Sequence, residues 1–348
     1  MKRRQTAVFA GAAALLTALV LFAGQTKAAA ADALRLCGTT LIPSLFPFYA
    51  ATNLMLSAGI PPLGTFAERW MRHFFHLPAE AAPAMLLGLL GGYPLGAAAA
   101  AELYRNGTLT QDEAVYLSGF ANNAGPAFII GAAGLAVFGS VGAGMLLYTI
   151  HAASAVITGI LLRGNGNPVI KKRRSIPSKV RPATQLLTAG ISSAAANMLS
   201  ICAFVILFSV VSSLLFSFPP IRMLTDRCVP VLPAARALLS GVLELSGGIL
   251  ALRTVPSSDA LIAASFLLGF GGICVFCQTA SVLDAAGLPS GQCFRAKLIQ
   301  GCVAASLAGI VCSFTAFRMT FLAVSFFFSC IIFLLVKIGG RKARHSLL

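Results

Sequence analysis

Asn122-Asn123-Ala124-Gly125-Pro126 interrupts a long apolar segment in the first half of the chain, and Gly271-Gly272-Ile273-Cys274 interrupts another in the second half. Proline lacks a backbone N–H, and glycine tolerates backbone conformations that other residues avoid. Inside a bilayer, an unwound backbone is tolerated only where protein or a water-filled cavity satisfies its polar groups. Paired breaks therefore predict a central binding site, as in transporters built from two repeats.

The composition indicates a protein embedded in a membrane. Of the 348 residues, 57% are hydrophobic and only 10% are charged, and the mean hydropathy is +0.86. Such a chain has too little polar surface for a soluble protein of this size. The net charge of +16 comes from Lys and Arg residues between the apolar segments. We interpret these residues as orienting the chain in the lipid bilayer, and we predict no nucleic-acid partner.

Apolar runs of helix length predict about eight membrane spans, near residues 7–24, 36–59, 114–138, 139–162, 198–217, 261–282, 294–315 and 317–337. Two shorter apolar pieces, 82–103 and 236–252, contain glycines and are predicted to be re-entrant hairpins. The chain is thus predicted to be an all-α polytopic membrane protein. Residues 1–32 are predicted to be a retained signal-anchor helix, with a cleaved signal peptide as the alternative. The distribution of basic residues predicts that both termini are cytoplasmic.

The two halves show the same order of features. In residues 33–162 and again in 184–315, a span is followed by a proline pair, a glycine-broken hairpin, a polar loop and a broken span. The crossing count starts the first unit outside and the second inside, which predicts an inverted-topology repeat. Residues 163–183 would be a basic cytoplasmic linker, and 316–348 a C-terminal helix with a basic tail. Thr110 with Glu113 is a predicted capping box, and Ser257 or Ser258 with Asp259 is a predicted looser cap.

Glu244 is the acidic residue that lies inside an apolar segment, at the predicted tip of the second hairpin. A carboxylate in lipid is costly, so it marks a functional site by default. We predict that Glu244 contacts substrate and takes part in proton or sodium coupling, beside the open backbone of Gly247 and Gly248. The alternative is that segment 236–252 is interfacial and that Glu244 faces water.

The tip of the first hairpin is Gly91-Gly92-Tyr93-Pro94. Glycine lets a backbone approach a ligand closely, and proline cannot continue a helical hydrogen-bond ladder. Tyr93 adds an aromatic ring and a hydroxyl group. We therefore predict that Tyr93 contacts substrate and that the backbone of the other three residues is unwound.

Polar side chains flank the two breaks. Asn122 and Asn123 precede Gly125 and Pro126, and the half-helix that begins near Ala127 would present unpaired N–H groups to a carboxylate or phosphate. The counterparts after Gly271 and Gly272 are Gln278 and Thr279. Asparagines in membrane helices can instead join neighbouring helices. The predicted substrate-binding residues are Tyr93, Asn122, Asn123, Gly125, Glu244, Gln278 and Thr279.

Other chemistry has little support in the sequence. There is no phosphate-binding loop, zinc-protease motif or nucleophile elbow, so we predict no enzyme activity, cofactor or metal. Cys274 and Cys277 are spaced as C-x-x-C without a second pair, and we interpret them as packing residues. His151 lies inside a span and would either relay protons or bond to a backbone carbonyl.

Several runs together resemble the sporulation integral membrane protein family called YlbJ. They are Ile42-Pro43-Ser44-Leu45-Phe46-Pro47-Phe48, Gly92-Tyr93-Pro94-Leu95-Gly96, the stretch from Asn122 to Phe128, and Gly271-Gly272-Ile273-Cys274-Val275 before Gln278. This family belongs to the nucleoside-recognition or Gate domain group, which is similar to concentrative nucleoside transporters. The chain departs from the family pattern at Phe276, where a histidine is expected, and at Ser246, where a threonine or asparagine is expected nearby.

The resemblance implies a membrane protein of endospore-forming bacteria that moves dipicolinic acid, a pyridine dicarboxylate, across the outer forespore membrane. A small aromatic dianion suits helix N-termini, amide side chains and a tyrosine. Two alternatives stay open. One is a nucleoside or nucleobase transporter, and the other is a sporulation scaffold that recruits partners through its basic loop and tail.

Overall fold

The computed structural model describes residues 2–58, 64–163, 182–230, 232–316, 329 and 331. No strand occurs in this part of the chain, so the predicted all-α fold is confirmed. The α-helices are, in order, α1 (Lys2–Leu21), α2 (Ala23–Leu36), α3 (Ile42–Ala58), α4 (Gly64–Trp70), α5 (Ala82–Gly91), α6 (Leu95–Arg105), α7 (Gln111–Ala121), α8 (Ala136–Phe138), α9 (Val141–Leu162), α10 (Ala183–Ser217), α11 (Pro219–Cys228), α12 (Ala235–Leu243), α13 (Leu245–Ala251), α14 (Ser257–Phe270), α15 (Gly272–Asp284) and α16 (Gly291–Ala316). Shorter π-helical turns span Cys37–Leu41, Met71–Phe75 and Ala127–Leu135, and 3₁₀ turns span Ala79–Ala81 and Leu252–Thr254.

Within the described residues, four helical segments are long and apolar enough to cross a membrane: Val141–Leu162, Thr184–Ser217, Ser257–Asp284 and Gly291–Phe314. Two sharply bent pairs raise the number to six if each pair is one span: Gln5–Leu21 with Ala23–Met55, and Gly64–Phe75 with Ala79–Gly91. The predicted class, a polytopic helical membrane protein, is therefore confirmed. The count of eight and the inverted orientation of the repeat stay predictions, and the predicted span 317–337 lies outside the residues that the structure describes except for 329 and 331.

The N-terminal helices are divided differently from the prediction. The chain bends by 98° after Leu21, and helix α2 then continues through residues 25–35, which were predicted to separate two spans. A π-helical turn joins α2 to α3. The stretch Ala28–Ala31 consists of the strongest helix-forming residue, and no proline or glycine follows it before the turn. The unit boundary predicted at residue 32 consequently falls inside a helix.

Helix α10 begins at Ala183, well before the predicted start at residue 198. Its first turns contain Thr, Gln and Ser residues, which lower the hydropathy of the segment but do not stop a helix. With 35 residues the helix is about 52 Å long at 1.5 Å per residue, which exceeds the hydrocarbon core of a bilayer. It packs along α2 and α3.

Both glycine-containing pieces form hairpins. Helices α5 and α6 meet at Gly92-Tyr93-Pro94, and α12 and α13 meet at Glu244. No arm exceeds 11 residues, or about 17 Å, so none can span a bilayer core of about 30 Å alone. Glycines let the arms approach closely, because a Cβ atom built on Gly248 would lie 2.1 Å from the Cα atom of Gly241.

Both predicted helix breaks are present. Helix α7 ends at Ala121, residues 122–125 are non-helical, and a helical turn resumes at Pro126, where the sequence predicted it. In the second half, α14 ends at Phe270 and Gly271 adopts a left-handed conformation with φ of 83°. The second interruption is thus a single residue, and α14 with α15 still forms one apolar stretch of 28 residues.

The predicted helix caps have different outcomes. Thr110 and Glu113 form the complete capping box at the start of α7, as predicted. The looser cap predicted at Ser257 or Ser258 is wrong. The N-cap of α14 is Pro256, which makes no side-chain cap, and Ser257 is already the first helical residue. A side chain inside the first turn no longer has the extended geometry that capping requires.

Candidate substrate-binding site

A cavity lies where the two hairpin tips meet the two helix breaks. It encloses about 500 Å³ of empty space, including the part that opens outward. Most of its wall is apolar and comes from the turn before α3, from α3 itself, from α10 and from residues around the breaks. Ligand pockets of small molecules share this combination of apolar walls with a few polar groups. The polar and glycine residues in its wall are Tyr49, Gly92, Tyr93, Gly125, Glu244, Ser246 and Gln278.

The structure brings four of the seven predicted substrate-binding residues to this cavity, namely Tyr93, Gly125, Glu244 and Gln278. Of the predicted backbone positions, Gly92 also lines it. Asn122, Asn123 and Thr279 are buried behind the wall and do not line it. The remaining predicted backbone positions are near the wall in sequence but not part of it: Gly91, Pro94, Pro126, Gly247, Gly248, Gly271 and Gly272.

Tyr93 joins the first hairpin to the second break. Its hydroxyl group donates a hydrogen bond to the carbonyl oxygen of Leu268 at 2.9 Å, in the last turn of α14. The hydroxyl also lies so close to Gly271 that a Cβ atom built there would be 3.2 Å from it. On its other side the same tip reaches the first break, since a Cβ atom on Gly92 would be 3.2 Å from the backbone nitrogen of Gly125. One hairpin tip therefore contacts both interruptions.

Glu244 caps helix α13 from inside the cavity wall. Its Oε1 accepts a hydrogen bond from the Ser246 N–H at 2.8 Å, and its Oε2 accepts one from the Gly247 N–H at 2.7 Å. The residue is only 2% exposed. A carboxylate at a helix N-terminus satisfies unpaired N–H groups and interacts favourably with the helix dipole. The side chain of Glu244 is therefore not exposed to bulk water in the described structure, unlike in the alternative interpretation.

The two asparagines bind protein groups of both halves. Asn122 Nδ2 donates to Thr279 Oγ1 at 2.8 Å, and Asn123 Nδ2 donates to the Phe120 carbonyl at 2.8 Å. Asn123 Oδ1 accepts from Gln300 Nε2, also at 2.8 Å. These contacts correspond to the alternative in which asparagines join helices. Asn122 Oδ1 has no partner among the described residues.

Lys297 is a buried cation of α16 that the sequence reasoning missed. Its Nζ donates to the Asn122 carbonyl at 2.6 Å and to Gln300 Oε1 at 2.5 Å, and it lies 5.0 Å from the centre of the Tyr93 ring. The signal was available, because a lysine within the predicted span 294–315 is as unusual in lipid as the carboxylate of Glu244.

Two further side chains near the cavity were misjudged or missed. His151 Nε2 accepts a hydrogen bond from the Ala124 N–H at 3.1 Å, so it satisfies an amide of the first break and does not bond to a carbonyl through that nitrogen. Tyr49 lines the cavity, is 1% exposed, and its hydroxyl has no partner among the described residues. No sequence pattern distinguished Tyr49, since it lies in an ordinary apolar helix.

Among the described residues, no group of three or more His, Cys, Asp or Glu side chains is arranged to hold a metal ion. Cys274 lines the cavity, and Cys277 lies one turn further along α15. Both are free thiols. Gln278 Nε2 is 3.5 Å from Cys274 Sγ, a long contact typical of sulfur acceptors.

Comparison with known proteins gives one informative match. The chain is 28% identical over 298 residues to the sporulation integral membrane protein YlbJ of Bacillus subtilis (strain 168). The alignment covers 76% of this chain and 72% of that protein. This similarity supports an assignment of the chain to the YlbJ family. It agrees with an integral membrane protein of sporulation, as the resemblance of the sequence runs implied. No family model matches, and no solved structure matches. Assignment to the Gate domain group stays a prediction.

Proposed function

We propose that this protein is a secondary transporter of a small organic anion, and that its substrate is dipicolinate, carried across the outer forespore membrane during sporulation. The supporting observation is the convergence of both hairpin tips, the first helix break and residues just after the second break on one cavity. In transporters with discontinuous helices, the substrate binds at this kind of junction. The similarity to a sporulation membrane protein supports the biological setting.

The chemistry of the wall suits an aromatic carboxylate. The apolar side chains and the Tyr93 ring offer surfaces against which a flat ring can pack. Gln278 and the Tyr49 hydroxyl supply polar groups for its oxygen atoms. A dianion that enters beside the carboxylate of Glu244 is repelled unless that charge is neutralised. We therefore propose that transport is coupled to proton uptake at Glu244, with sodium as the alternative coupling ion.

The test is uptake of labelled dipicolinate by the purified protein in liposomes, with and without a proton or sodium gradient. Gln278→Leu removes a hydrogen-bonding group from the wall, and a lost bond to a charged ligand is worth about 1.5–3 kcal/mol, or roughly 10- to 100-fold in affinity. Gln185→Leu is the matched control, because Gln185 is exposed on α10 and far from the cavity wall. We expect the first variant to lose uptake at low substrate concentration and the second to match the wild type.

Labelled uridine distinguishes the runner-up. Uptake of uridine without dipicolinate identifies a nucleoside carrier. If the reconstituted protein takes up neither compound under any gradient, the transporter proposal is refuted and the scaffold alternative gains support. If both Gln variants transport equally well, the cavity is not the substrate site.

A further inference from the structure

Building on the transporter function proposed above, we propose that Lys297 is the residue that selects substrates by negative charge. Its ammonium group acts on the cavity through the Tyr93 ring without contacting the substrate. The argument depends on where the ammonium lies, on what neutralises it, and on how its influence scales with ligand charge.

The ammonium group is directly behind the cavity wall. Tyr93 lines the cavity, and Lys297 Nζ is 5.0 Å from the centre of its ring. Lys297 is 4% exposed, so little water screens it. An aromatic ring between a cation and a ligand does not block an electric field, and the low dielectric of the surroundings strengthens it.

The hydrogen-bonding capacity of Lys297 is used, but its charge is not paired. The Asn122 carbonyl and Gln300 Oε1 each accept one of its N–H bonds, and the Tyr93 ring lies on a further side. In the described part of the chain, no carboxylate oxygen lies within the 4.0 Å of an ion pair with Nζ. A protonated Lys297 has no ion-pair partner among the described residues, and the carboxylate of a ligand in the cavity can supply the opposite charge that favours this protonated form.

Glu244 is not the counter-ion of Lys297 in the described structure. It is the other buried charged residue among those described, and both of its oxygens accept backbone N–H groups at the start of α13. The cavity thus has a carboxylate already engaged by amide donors on one side and an unpaired ammonium behind the other. Once Glu244 is protonated, as proposed for coupling, the electrostatic preference that remains for a ligand beside Tyr93 is for negative charge.

Three pyridine compounds of similar shape provide the test, as competitors of labelled dipicolinate uptake in liposomes. Unlabelled pyridine-2,6-dicarboxylate is a dianion, pyridine-2-carboxylate a monoanion, and pyridine-2-carboxamide is neutral. The variant Lys297→Gln keeps an N–H donor for the Asn122 carbonyl but removes the charge. Lys297→Arg keeps the charge, and Lys27→Gln, which removes an exposed charge on α2, is the control.

Because Coulomb energy is proportional to ligand charge, the logarithm of the affinity loss for the dianion should be twice that for the monoanion. We expect Lys297→Gln to weaken inhibition by the dianion about tenfold and by the monoanion about threefold, and to leave the neutral amide unchanged. Lys297→Arg and Lys27→Gln should retain the wild-type order, in which the dianion inhibits most strongly and the amide least.

Equal weakening of all three competitors in Lys297→Gln overturns the inference, because it shows that Lys297 only supports the backbone at Asn122. If that variant does not accumulate in the membrane, the wild-type order and its retention in Lys297→Arg decide the matter. A wild type that does not distinguish dianion from amide refutes the inference on its own. A wild type that takes up no dipicolinate refutes the proposed function instead, so the two failures are distinguishable.

Discussion

The packing of the first hairpin against the first break makes a sharp prediction for Gly88. Gly88 lies in α5 against the end of α7, where a Cβ atom built on it would be 1.7 Å from the carbonyl oxygen of Ala121 and 2.9 Å from the Cα atom of Gly96. Both neighbours are backbone atoms, which cannot rotate away as the end of a side chain can. In Gly88→Ala, α5 must therefore separate from α7 by more than 1 Å, a distance of the order of the overlap.

The expected magnitude follows from two opposing effects. Forcing an extra carbon into a packed core costs about 1–3 kcal/mol, and backbone contacts put this case at about 3 kcal/mol. Alanine recovers up to about 1 kcal/mol because it forms helix better than glycine. The net loss is about 2 kcal/mol. For a chain of 348 residues that corresponds to a decrease in Tm of about 3 °C.

Gly131→Ala is the matched control. Gly131 also lies in a helical segment, and nothing is within 4 Å of a Cβ atom built on it. The helix-propensity gain is then unopposed, and the Tm should stay constant or rise. Unfolding in detergent can be followed with a thiol-reactive fluorophore, since Cys274, Cys293 and Cys302 are buried and free. A Gly88→Ala protein that melts at or above the wild-type temperature contradicts the packing argument.

Three further substitutions test individual contacts. Tyr93→Phe removes the hydrogen bond to the Leu268 carbonyl. We expect a stability loss of about 1 kcal/mol in the same melting assay, as for other buried hydrogen bonds in membrane proteins. An unchanged Tm would show that this bond does not contribute to stability. Tyr49→Phe removes a buried hydroxyl that has no partner among the described residues, so the Tm should stay unchanged or rise. The same substitution should weaken dipicolinate uptake. A lower Tm would reveal a structural role for the hydroxyl. Glu244→Gln replaces one of two acceptors at the start of α13 and should cost about 1 kcal/mol of stability. We also expect it to abolish the response of dipicolinate uptake to a proton gradient. A retained response excludes Glu244 as the coupling group.

The hairpins and the breaks were predictable because their causes are local. Glycine, proline and asparagine change the preferred backbone conformation within a few residues. The runs 91–94, 122–126 and 271–272 therefore predict a helix interruption from their own residues. The capping box of Thr110 and Glu113 was predictable for the same reason. Where hydropathy alone decided a boundary, as at the start of α10, the prediction was wrong because polar residues within a helix lower hydropathy without ending it.

The contacts behind the cavity wall could not be predicted because their causes are distant in sequence. Asn122 and Thr279 are 157 residues apart, and Asn123 and Gln300 are 177 residues apart. A single sequence shows that an asparagine is buried in lipid but not which partner satisfies it. Both asparagines were therefore assigned to the ligand, although three of their four side-chain polar groups bind protein atoms.

The two kinds of contact around the cavity differ in a way that bears on how it opens. Within each half, hairpin and break approach through glycines without side-chain bonds, as at Gly92 with Gly125 and at Gly272 with the Gly241 carbonyl. Between the halves, the contacts include hydrogen bonds from Tyr93, Asn122, Lys297 and Gln300. Lipid offers no replacement partners, so a motion that separates the halves must exchange these bonds for others or leave polar groups unsatisfied. We therefore expect each hairpin to move together with the break it packs on, and we expect the hydrogen bonds between the halves to set the free-energy difference between the open and closed states.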